Sequence, residues 1–144
     1  MTITSAVCNS FKVEILKAVH NFTAGGANVF NLALYTSSAT LNKSTTAYTT
    51  SNEVASSGGY TAKGKALTSV TPVLSTDTAV CDFANVSWTS ASFTSRGCLI
   101  FNDSAASDQS VCAIDFGGDK TVTSGTFTIE FPAATAGNAI IGIA

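Results

Sequence analysis

The chain reads as a mainly β protein: an antiparallel β-sandwich of jelly-roll type with one N-terminal amphipathic helix. Three observations predict it. Short apolar runs recur after residue 28, spaced by roughly 8–12 residues and separated by Gly-, Asn- and Ser-rich turns. One run, Thr126 to Phe131, alternates strictly, with Phe127, Ile129 and Phe131 on one face. Ser and Thr are abundant, and Thr suits strands. A chain of 144 residues is long enough for one domain with a real core. We read residues 1–144 as that single domain, with an extended arm (1–9), a helix (10–22) and a sandwich (29–144).

The elements follow in order. Asn9 or Ser10 supplies a helix cap. Phe11, Ile15, Ala18, Val19 and Phe22 then form one apolar stripe at helical spacing, closed by Gly25-Gly26. Val13 and Leu16 lie opposite that stripe, so the second face is partly apolar and suits cover by a neighbour. Residues 29–36 form a strand that is apolar on both faces at its centre. Residues 37–59 are polar and read as a loop, with a short element near Asn52-Glu53-Val54. Residues 65–71 read as a strand ended by Pro72, and 78–88 as another. Residues 97–102 and 110–116 flank a polar turn at 103–109 and form a hairpin. Gly117-Gly118 and Ser124-Gly125 read as turns, Pro132 as a strand end, and residues 138–143 as the last strand.

Charge is the unusual feature. Only 11% of residues are charged, against about a quarter in an average domain. Hydrophobic residues make up 45%, and the mean hydropathy is +0.31. No apolar run approaches the roughly 20 residues of a membrane-spanning helix. Such a surface suits burial against other protein chains. The seven Lys and Arg are scattered, so the basic stripe of a nucleic-acid binder is missing. The first eight residues lack a basic region and a long apolar core, so we expect no signal peptide and synthesis in a reducing cytoplasm.

Candidate chemistry is sparse. Cys8, Cys81, Cys98 and Cys112 follow no ligand spacing and read as free, buried thiols. Cys98 and Cys112 fall on strands expected to pair, so a disulfide is the other reading, which a reducing compartment disfavours. His20, the lone histidine, falls at the expected helix end, where an imidazole meets the helix's negative pole. Asp103, Asp108, Asp115 and Asp119 cluster about two turns. They offer oxygens for a cation or a carboxylate pair for a glycosidase, but turn aspartates that bond their own backbone explain them as well. Asp115-Phe116-Gly117 stands without the other kinase motifs. We therefore expect no enzyme, cofactor or metal. Trp88, Tyr35, Tyr48 and Tyr60 are read as core or subunit contacts, with a sugar platform as the other reading. Phe11 and the apolar tail, Ile140, Ile141 and Ile143, complete the candidate subunit or capsid interface, because an apolar terminal strand must be paired.

Segments along most of residues 10–132 resemble a loose group of small structural proteins of tailed bacteriophages. They include residues 10–16 (SFKVEIL), 30–35 (FNLALY), Tyr48 with Asn52-Glu53-Val54, and Gly58-Gly59-Tyr60. They continue through 86–89 (VSWT), 99–102 (LIFN), 113–118 (AIDFGG), 125–129 (GTFTI) and Phe131-Pro132. The resemblance implies a virion protein, either a head decoration (cement) protein or a fibre-like module, and carries no active site. A cement protein would sit on the capsid exterior, bind the major capsid protein and stabilise capsomer junctions. Three copies are expected to associate, with residues 1–9 and 37–59 as clamping segments. The alternative is a fibre or receptor-binding module contacting a host glycan. No nucleic acid or membrane partner is implied.

Overall fold

Asn9–Leu16 (α1) is the only helix, shorter than the predicted 10–22. A Schellman motif stops it. Ala18 N–H donates to Ile15 O and Val19 N–H to Glu14 O, with Ala18 in the left-handed region at φ 58°. Of the predicted apolar stripe, Phe11, Ile15 and Phe22 reach the core, whereas Ala18 is exposed at the turn. Phe22 folds back past this turn and stacks on Phe30, centroids 4.3 Å apart. Cys8, not Asn9 or Ser10, is the N-cap, and its side chain makes no capping bond.

The computed structural model describes residues 1–144 and holds eight strands. These are β1 (Ala6–Val7), β2 (Phe30–Tyr35), β3 (Lys65–Ala66), β4 (Ser69–Ser75), β5 (Thr78–Phe83), β6 (Val86–Asn102), β7 (Ser110–Ile129) and β8 (Ile141–Ile143). They form two antiparallel sheets, ordered β1-β7-β6-β2-β3 and β4-β5-β8. The sheets stack as a five-plus-three sandwich. Phe30, Leu32, Leu34, Trp88 and Ile100 of the large sheet share one core with Phe83 and Ile141 of the small sheet and Phe11 of the helix.

The large sheet is covered on its other face too. Ile3, Ala39 and Leu41 pack there on Ala33, Tyr35, Leu99 and Phe101. All six residues of β2 are therefore buried, as its two apolar faces require. The predicted arm supplies Ile3 to this layer and an edge strand to the large sheet. Ala6–Val7 pairs with Cys112–Ala113, and Ile3 bridges to Leu41.

Several strand boundaries differ from expectation, the last strand among them, which is Ile141–Ile143 and not 138–143. The 65–71 segment is two strands, and Pro72 lies inside β4 at a register shift. A proline is tolerated there because β4 is an edge. The 78–88 segment breaks at Ala84-Asn85, where the chain leaves the small sheet for the large one. The predicted hairpin is real, with its turn at 103–109, but its arms run 17 and 20 residues. Gly117-Gly118 and Ser124-Gly125 lie at ladder irregularities, not at turns, so the predicted strand at 126–131 is the far end of β7.

Candidate functional site

The far half of the β6–β7 hairpin carries an open apolar groove. Its ladder sets Val86 opposite Ile129, Trp88 opposite Phe127 and Phe93 opposite Val122, all on the core side. Tyr60 from the loop, Phe93 and the Lys65 ammonium pack around Trp88 on the β6 side of this face. Trp88 is buried, whereas Val122, Phe127 and Ile129 are only half-buried. Their exposed flank becomes a groove of about 860 Å³, walled by Ile114, Phe116 and Phe127 on the sheet and by Phe131, Pro132 and Ile140 opposite. Lys120 and Glu130 are its only charged lining residues. The groove follows the free edge of β7, because β1 pairs with β7 only at Cys112 and Ala113.

A second constellation pins the long loop. Glu53 accepts the Tyr48 hydroxyl, the Tyr60 hydroxyl at 2.6 Å and the Lys63 N–H at 2.8 Å. Tyr60 Oη in turn accepts the Leu34 N–H of β2 at 2.9 Å. Tyr35 Oη donates to Thr49 O at 2.6 Å. Burial and the Glu53 carboxylate push the Tyr48 hydroxyl up to about 12, and burial pushes Tyr60 and Tyr35 up as well. The predicted clamping loop is thus bound to its own domain.

The four turn aspartates divide into two ion-paired sets. Lys63 Nζ lies 2.8 Å from Asp103 and 2.9 Å from Asp108, and both carboxylates hold the ammonium above its usual range. Arg96 lies 3.2 Å from Asp115 and 3.5 Å from Asp119. Each pair thus meets a side-chain cation of the chain itself.

His20 is buried four residues past the helix, beyond the helix pole expected for it. Its Nε2 lies 3.0 Å from Glu14 Oε2, and its Nδ1 lies 3.2 Å from Asn102 Nδ2. Asn102 Oδ1 accepts the Ser104 N–H at 3.0 Å, which fixes the amide orientation. Asn102 therefore donates to Nδ1, and the ring proton sits on Nε2, facing Glu14. Burial draws this imidazole below its ordinary range, partly offset by Glu14. All four cysteines are free. Cys98 lies opposite Ile114, and Cys112 lies opposite Ile100, so these two thiols are diagonal neighbours. Burial raises both, Cys112 to about 12.

The interface candidates scatter. Phe11, Tyr35, Tyr60, Trp88 and Ile141 are buried in the chain's own core and offer a partner no surface. Tyr48 is half-buried in the loop network, and Ile140 walls the groove. Ile143 is 55% exposed. The sugar-platform reading loses its rings with Trp88, Tyr35 and Tyr60 inside. The residues that line the groove, Phe116, Val122, Phe127 and Ile129, were not singled out as interface candidates. Their half-burial depends on what the rest of the chain lays over this face, which no local pattern states. The predicted second face of the helix is open, with Val13 53% and Leu16 88% exposed. No helix is long and apolar enough to cross a membrane. No family model, curated protein or solved structure matches the chain.

Proposed function

We propose that this protein is a structural component of a tailed-phage virion that coats the head exterior and cements capsomer junctions. The observation that carries the reading is the apolar groove along an unpaired strand edge, on a chain with few charges to keep that edge apart from other proteins. The exposed apolar residues of the helix and of β4 (Val13, Leu16, Val73 and Leu74) add further contact surface of the same kind. Many copies fixed to a lattice gain strength by avidity, so no single contact needs to be tight. The rigid β sandwich, with its arm and loop tied down, suits a passive clamp.

The test is the copy number of this chain in purified virions relative to the major capsid protein. A fixed, near-stoichiometric ratio, together with rebinding of the pure protein to stripped heads, supports cement. A few copies per particle, or none, overturns it.

A further inference from the structure

The unpaired edge of β7 has a pattern that fits itself. The chain's own arm covers only its start. Ala6–Val7 pairs with Cys112–Ala113, Ser5 Oγ accepts the Asp115 N–H, and Thr4 then turns away to Leu41. From Phe116 to Ile129, β7 has β6 on one side and no strand on the other. The β4 edge of the small sheet is different: Pro72 removes a donor and discourages strand addition. No proline lies between Val111 and Phe131.

Two triplets flank Ser124-Gly125, Thr121-Val122-Thr123 and Thr126-Phe127-Thr128. In each, the threonines are exposed and the central apolar residue is half-buried beside the groove. The ladder irregularity between Val122 and Gly125 keeps both apolar centres on the same face. An antiparallel copy turned about a point between Ser124 and Gly125 sets Val122 against Phe127 of the second copy. It also sets Thr121 against Thr128 and Thr123 against Thr126, each pair occurring twice. Lys120 falls one residue from Glu130 of the other copy. Asp119, opposite that Glu130, is already paired with Arg96.

We propose that two copies of this chain join edge to edge through β7, antiparallel, about a two-fold axis between Ser124 and Gly125. The two five-stranded sheets become one of ten, and the two grooves meet across the dyad. A two-fold interface is self-complementary by necessity, and the two triplets meet that condition on both faces, threonine against threonine outside and Val122 against Phe127 beside the groove. The contact stands whether or not the protein coats a capsid, and it makes the basic unit a dimer where the sequence led us to expect a trimer.

The test is mass in solution, by light scattering on the full chain, with two charge variants at exposed edge positions. The parent should run at twice its 14.7 kDa chain mass. T123K/T126K sets Lys against Lys twice and should weaken dimerisation by about tenfold or more. T123E/T126K sets Glu against Lys at the same two positions and should keep the dimer. A second measurement guards against misfolding: T123C/T126C should form a covalent dimer under oxidation, and T123C alone should not. A parent that is monomeric or trimeric, two charge variants that behave alike, or equal cross-linking by the single and double cysteine variants overturns the proposal.

Discussion

Trp88 lies directly across the β6–β7 ladder from Phe127, their rings 6.1 Å apart and edge-on, yet only Trp88 is sealed from solvent at 1% exposure. The pair marks where the core ends and the groove begins. Its two members should therefore respond differently to truncation. Trp88→Ala removes a fully packed ring and should cost about 3–5 kcal/mol of stability. Phe127→Ala removes a ring already half in water and should cost roughly half as much. Urea unfolding of both variants checks this. Equal losses would mean that the groove wall is as closed as the core.

Glu53 is the shared acceptor for Tyr48, Tyr60 and the Lys63 amide. Glu53→Gln keeps the shape but puts an amide donor where a hydroxyl must donate. Loss of one charge-assisted bond should cost about 1.5–3 kcal/mol. The effect should concentrate in residues 37–64, because Glu53 joins that loop to β2 through Tyr60. Amide hydrogen exchange reads it directly. Faster exchange at Lys63 and Val54, with the β6–β7 ladder unchanged, is the expected result. Unchanged protection at Lys63 would mean that packing alone holds the loop.

The β class, the sandwich, the turn at 103–109 and the open second face of the helix were legible because each depends on local residue pattern. The long hairpin was not. Gly117 and Ser124 take positive φ, as turn residues do, but here they bend β7 without ending it. Only pairing with β6 distinguishes a bulge from a turn, and that partner is distant in sequence. Pro72 misled for the same reason, since an edge strand tolerates what a central strand does not. Aromatic type pointed to Trp88 and Tyr60 as contact residues, but their burial is set by the loop folding over the hairpin, where Tyr60 packs on Trp88 and Phe93. The edge of β7 was hidden because it exists only where Thr4 turns the arm away.

Ala18 closes the helix in a conformation that normally selects glycine, at φ 58° in the C′ position. A side chain there costs about 1 kcal/mol relative to glycine. Ala18→Gly should therefore stabilise the protein by about 0.5–1 kcal/mol, less the entropy that glycine adds to the unfolded chain. Thermal unfolding of the variant checks it. A lower melting temperature would mean that the Ala18 methyl makes a packing contribution larger than the strain.

His20 should make stability depend on pH. Its Nδ1 accepts from Asn102, so protonation there would place two donors face to face. Three aromatic rings, Phe11, Phe22 and Phe30, surround the imidazole, and Glu14 is the carboxylate against it. Burial outweighs Glu14 and holds the folded-state pKa below the ordinary value of 6.5. Above that value the ring is neutral in both states and costs nothing. As pH falls through it, the unfolded chain takes up the proton first, and stability declines until the pH reaches the lowered folded value. Below that point both states are protonated and the decline from this residue stops. Melting temperatures measured from above pH 7 down to about pH 5 should therefore fall for the parent. His20→Gln should start lower, because the network is disturbed, but should fall less steeply over the same range. Parallel curves for the two proteins would mean that His20 titrates alike in the folded and unfolded chains, and that Glu14 fully offsets the cost of burial.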